Sequence, residues 1–158
     1  MTVSASSPAS APATASATHG AGKTTLSIII AVSVCHLIND IMQSMLMAIY
    51  PLLKENYSLD YVQIGLLTFT FQVTASLLQP AIGIYTDKRP LPYSLPIGMG
   101  SSLCGLIVLG FSSSYWMLLV GSALVGLGSA IFHPESSRVA RLASGGRHGL
   151  AQALFQVG

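Results

Sequence analysis

Four polar side chains, His36, Asn39, Asp40 and Gln43, stand inside an otherwise apolar run from Leu26 to Tyr50. Their spacing of i, i+3, i+4 and i+7 places them on one face of a helix. The run meets the roughly 20 residues that a bilayer-crossing helix needs. An ionised Asp at the centre of a lipid-facing helix costs roughly 2.5–3.5 kcal/mol, so the stripe must face protein or a water-filled path. A carboxyl in such a path can take a proton from one side of the membrane and release it to the other. His36, one turn before Asp40, can share that proton or hydrogen-bond the carboxylate, and Asn39 can both donate and accept. The alternative is a fixed polar knot that holds the first span against its neighbours.

A second set lies in FHPESSR, residues 132–138. Pro134 removes a backbone donor and leaves the carbonyl of Ala130 free, which favours a kink. His133, Glu135 and Arg138 then put an imidazole, a carboxylate and a guanidinium near one mouth of the fourth span, with Glu135 and Arg138 able to pair at i, i+3. This is either a gate that handles protons or a solvated helix end. His36 with Asp40, and His133 with Glu135, are also ligand types that zinc accepts. With one pair mid-span and the other at a span mouth, a 1.5 Å rise per residue separates them by roughly 15 Å. On that geometry no metal site, no cofactor and no intramembrane metalloenzyme are expected. No serine or cysteine has a recognisable nucleophile setting, so the chain does not read as an enzyme.

Composition agrees with membrane-spanning elements. Hydrophobic residues make up 51% and charged residues 8%, with mean hydropathy +0.65, whereas a soluble domain carries about 25% charged residues. The net charge of +2 is too small to point to nucleic acid. Cys35 and Cys104 fall in apolar runs and read as buried small hydrophobes.

The elements that must position these residues follow in order. Residues 1–24 are rich in Ala, Ser, Thr and Pro and read as a disordered cytoplasmic tail. Gly22-Lys23-Thr24 imitates the end of a phosphate-binding loop but lacks the earlier Gly and the preceding strand. Residues 25–158 read as a transmembrane region of four spans and the start of a fifth. After the first span, Lys54 to Asp60 forms a polar loop. The second, about Val62 to Ile82, carries Thr68, Gln72, Ser76 and Gln79 on one face and closes at Asp87–Pro90. The third runs from about Leu95 to Ser112. The fourth starts at Trp116 and runs past Phe132, with Ser122, Gly126 and Ala130 spaced by four for close helix approach; Ser101 and Gly105 offer the same on the third. Arg138 to His148 reads as a basic, Gly-rich loop, and Leu150 to Gly158 opens a fifth helix. The chain is therefore expected to be a piece of something longer. Lys23, Lys88, Arg89, Arg138, Arg141 and Arg147 fall on one side and only Lys54 on the other, which makes the N-terminus cytoplasmic by the positive-inside rule.

Gly83-x-x-x-Asp87-Lys88-Arg89 after the second span resembles the loop signature of the major facilitator superfamily. The stretches CHLINDIMQS, AIYPLLKENYSL, QIGLLTFTFQ, LLQPAIGIYTDKRPLPYSLPIGM and FHPESSRVARLASGGRHGLAQALFQVG extend that resemblance over Leu26 to Gly158. It implies an all-α, twelve-helix, proton-coupled exporter of a small polar drug across the bacterial inner membrane, of which this chain would be the N-terminal part. It also implies that Gly83, Asp87, Lys88 and Arg89 belong to a gating loop. Gln43, Gln72 and Gln79 could then offer neutral hydrogen bonds to the substrate. Two positions depart from the family pattern. Pro90-Leu91-Pro92 replaces a second Gly with basic residues, and Ser122 stands where many proton-coupled members carry an Arg. The coupling role is therefore expected at Asp40 and Glu135. The rival from another class is a non-transporting membrane scaffold, which would have no use for a polar stripe at mid-span, or a truncated product, which would keep the stripe without using it.

Overall fold

The computed structural model describes residues 25–89 and 91–158. The expected tail, with Lys23 and the Gly22-Lys23-Thr24 triplet, and Pro90 lie outside the described residues. The described residues form six helices and turns, with no strand: α1 (Leu26–Ala48), α2 (Tyr50–Tyr57), α3 (Tyr61–Lys88), α4 (Ser94–Gly110), α5 (Tyr115–Ala143) and α6 (His148–Val157).

Helix α1 shows why an apolar run can carry a polar stripe. Ile29, Val32, His36, Asn39 and Leu46 are buried, and their spacing is that of one helix face. Ile30, Val34, Leu37, Ile38, Ile41 and Met45 are exposed on the remaining surface, the face suited to lipid. The run does not end at Pro51, as the sequence suggested. Ile49 stays in the right-handed helical region and Leu53 N donates to Ile49 O, so α2 continues α1 through Tyr57. Pro51 falls in the first turn of α2, where its missing N–H costs little. Only Ser58, at φ 50°, breaks the helix, and the polar loop shrinks to residues 58–60.

Asp60 then starts α3 with a capping box: Gln63 N donates to Asp60 Oδ1 at 2.7 Å, and Asp60 N donates to Gln63 Oε1 at 3.0 Å. Helix α3 runs through Pro80 and Gly83 to Lys88, so Gly83, Asp87 and Lys88 are helical and only Arg89 caps the end. The expected gating loop is thus the last two turns of a helix. The same correction applies to α5, which passes Pro134 and reaches Ala143. The basic loop shrinks to residues 144–147, where Gly145 and Gly146 supply the positive φ that the turn requires.

The continuous α1–α2 helix, α3 and α5 have 32, 28 and 29 residues and are long and apolar enough to cross a membrane. Helix α4, with 17 residues, is at the short end of the spanning range. The helix ends meet in pairs. Thr25 N donates to Ala143 O, joining the start of α1 to the end of α5. At the other end Tyr57 donates to Ser112 O and Tyr115 donates to Gln63 O. Leu46, Leu53, Leu67, Phe71, Leu109, Leu118 and Val125 form the main apolar cluster between these helices.

Small residues allow α5 to sit against both α3 and α4. A Cβ on Gly105 would stand 2.7 Å from Gly121 O, and one on Gly98 would stand 3.2 Å from Gly128 O. The α4 seam therefore uses Gly121 and Gly128 of α5, while Gly126 meets Phe71 and Thr74 of α3. The Ser122–Gly126–Ala130 row expected from spacing is buried throughout. Ser122 gives its hydroxyl to Leu118 O within its own helix. Ser101 donates across to Leu124 O.

Candidate functional site: a polar cavity between α1, α3, α5 and α6

His36 lies ten residues after Leu26, and His133 lies ten residues before Ala143. Because α1 starts where α5 ends, ten residues in each direction bring the two rings to the same depth, about 15 Å from that end. Their centroids are 5.3 Å apart, edge to face. The depth difference expected between them disappears because the fourth span does not end at Pro134. His36 is buried, with Phe155 of α6 at 4.5 Å and Phe132 stacked at 6.2 Å. Its Nε2 lies 3.7 Å from Asp40 Oδ2.

Asp40 opens from this knot into space. It lines two cavities, of about 490 and 420 Å³, which share Asp40, Gln79 and His133. Gln43, Gln72, Ser76 and Ser129 surround the first; His36, Ser137, Gln152 and Gln156 help to surround the second. The three glutamines expected along the path thus converge on Asp40, with Gln43 Nε2 3.5 Å from His133 Nε2. Thr68 leaves the expected stripe: it donates to Tyr50 Oη and Ile64 O instead. Asn39 is fully buried, its amide has no hydrogen-bond partner among the described residues, and it lines neither cavity.

Glu135 and Arg138 belong to a different cluster. Glu135 is buried and accepts from Ser94 of α4 at 2.8 Å, while Arg138 Nη1 stands 3.7 Å from its other oxygen. Arg138 also donates to Thr86 O at 3.2 Å and lies 3.9 Å from Asp87, so it ties α5 to the end of α3. Gly83 packs near Pro134 in the same seam. Lys88 and Arg89 are exposed beyond it. The expected i, i+3 pair is present, but His133 is not part of it. The candidate residues fall into two groups: a mid-depth cavity around Asp40 and a helix-end clasp around Glu135.

Sequence reasoning missed Gln152, Gln156 and Ser94. The two glutamines, at i, i+4 in an apolar segment, repeat the signal that singled out Asp40 and His36. Ser94 carries no such signal, since a serine at a helix start reads as a cap.

An open-sided cavity lined in part by amides, imidazoles and one carboxylate, among helices with apolar outer faces, suits a multi-pass membrane protein. The model of the Major Facilitator Superfamily matches residues 32–158, and the chain belongs to that family. It is 57% identical over 136 residues to the fosmidomycin resistance protein of Escherichia coli (strain K12), covering 86% of this chain and 34% of that protein. It is 45% identical over 137 residues to an uncharacterized transporter of the same type, YfnC, from Bacillus subtilis (strain 168), again 34% of the relative. The bacillibactin exporter of the same bacterium is 30% identical over 107 residues, 65% of this chain and 27% of that protein. The chain spans about a third of the length of the first two of these relatives and 27% of the third. No solved structure matches it significantly.

Proposed function

We propose that this chain supplies part of the translocation path of a proton-coupled exporter for small polar drugs, with fosmidomycin or a related antibiotic as substrate. The observation that carries the proposal is the position of Asp40: at mid-depth, with its side chain 48% exposed to a cavity and an imidazole 3.7 Å away. A carboxylate there exchanges protons with the path and not with lipid. Gln43, Gln72 and Gln79 present neutral donors and acceptors to a substrate in the same space. The name of the Escherichia coli relative supports the substrate class.

In this reading Asp40 carries the coupling proton, with His36 and His133 as its neighbours. Glu135, Arg138 and Asp87 hold α3, α4 and α5 together at one end, where Gly83, Lys88 and Arg89 also lie, and they open and close that end as the protein alternates. The clustering of basic residues at this end supports a cytoplasmic side there, in the bacterial inner membrane. The coupling agent is the proton gradient and no cofactor takes part. The remaining helices of a twelve-helix transporter close the path from outside this chain.

The test is Asp40→Asn in the natural full-length protein, assayed in inverted membrane vesicles with an imposed pH gradient. Gradient-driven accumulation of fosmidomycin is lost while binding without a gradient is retained. Unchanged gradient-driven transport by Asp40→Asn would overturn the assignment.

A further inference from the structure

The chemistry that brings His36, Asp40 and His133 together is not exhausted by proton exchange. One ligand atom from each of the three lies within 4.8 Å of the others. Two imidazole nitrogens and one carboxylate oxygen form a donor set that zinc and its borderline neighbours accept. His36 and Asp40 occupy i and i+4 of α1, and His133 comes from the facing helix α5, so two rigid elements hold the set. A tetrahedral ion at about 2.0–2.1 Å from each ligand needs the donors about 3.4 Å apart. The His36–Asp40 pair is already at 3.7 Å. The other donor pairs, within 4.8 Å, must draw in by up to about 1.4 Å to reach that spacing.

A second observation points the same way. His36 is 6% exposed, and it turns Nε2 towards Asp40. Packing between Phe132 and Phe155 accounts for the burial of the ring. It does not account for a carboxylate and a second imidazole converging on that ring with no cation among the residues lining the cavity. A divalent ion supplies the missing positive charge. Asp40 and His133 also line the cavity, so the remaining coordination positions face open space.

We propose that His36, Asp40 and His133 form a binding site for a divalent transition-metal ion of the zinc class, with at least one coordination position open to the cavity for water or an oxygen ligand. The proposal goes beyond the transport reading but uses the same residues, so metal binding and protonation of Asp40 compete; binding is read without gradient or drug, which keeps the two tests apart.

The experiment titrates the natural full-length protein, purified in detergent and stripped with chelator, with Co²⁺ as a spectroscopic probe for Zn²⁺. One Co²⁺ per chain is expected, with the intense visible absorption of a four- or five-coordinate site, displaced by Zn²⁺. His133→Gln and Asp40→Asn each lower the affinity at least about tenfold, while His148→Gln, outside the site, leaves it unchanged. His133→Cys guards against misfolding as the explanation: it retains Co²⁺ and adds a thiolate charge-transfer band. Absence of the visible band in the parent protein overturns the proposal. So does equal affinity in His133→Gln, or a His133→Cys protein without charge transfer.

Discussion

Gly105 offers a sharp test of how α4 and α5 are held together. An added Cβ would stand 2.7 Å from Gly121 O and Val125 Cγ2 and 2.8 Å from Val125 N. Two of those three atoms are backbone and cannot swing aside. Ordinary contact begins at 3.4 Å, so the helices must part by about 0.7 Å, the difference between 3.4 and 2.7 Å. A gap of 0.5–1 Å forfeits a quarter to a half of each atomic contact of about 0.1–0.2 kcal/mol. Over roughly 40 contacts along the seam the loss is about 2 kcal/mol. Replacing Gly by Ala inside a helix returns about 1 kcal/mol. Gly105→Ala is therefore net destabilising by about 1 kcal/mol. At Gly100, on the same helix, a Cβ meets nothing within 4 Å, so Gly100→Ala keeps the gain of about 1 kcal/mol. The two variants, purified in detergent and melted side by side, should differ by roughly 4–8 °C with Gly105→Ala lower. If Gly105→Ala melts at or above Gly100→Ala, the close approach of these helices is wrong.

Two further outcomes concern the helix ends. Glu135→Ala removes one of two acceptors of Ser94, which keeps Leu91 O, and one partner of Arg138; because Arg138 keeps Thr86 O and Asp87, the cost is about 2 kcal/mol, seen as a lower melting temperature and faster proteolysis between α3 and α4. Asp60→Ala breaks the capping box at the start of α3 and costs about 1 kcal/mol; Asp60→Ser restores most of it, and equal stability of the Ala and Ser variants would remove the cap from the account.

The class and the helix polarity were legible in the sequence because both depend on local transfer energetics. A run such as Leu26–Ala48 must span or be buried, and the face bearing His36, Asp40 and Gln43 must turn away from lipid whatever surrounds it. Gln72 and Gln79 could be paired with that face for the same reason. The i, i+3 contact of Glu135 with Arg138 also follows from helix geometry alone. Boundaries were harder, because Pro51, Pro80 and Pro134 are strong breakers in water. A membrane helix tolerates them where neighbours and local adjustment satisfy the freed backbone groups.

Reading Pro134 as an end misplaced everything that depended on depth. It put His133 beside Glu135 and Arg138, its neighbours in sequence. The structure puts His133 beside His36, its neighbour in space, and turns Glu135 towards Ser94. Which of two adjacent polar residues faces the cavity is decided by the 100° step between them and by which helix lies on each side. The sequence by itself determined that α1 carries protected polar groups within a membrane protein. Only the packing of α1 against α5, end to end at Thr25 and Ala143, decided that His36, Asp40 and His133 share one point. Residues 90 or more positions apart meet through helix register and crossing, and no local property of either segment encodes that meeting.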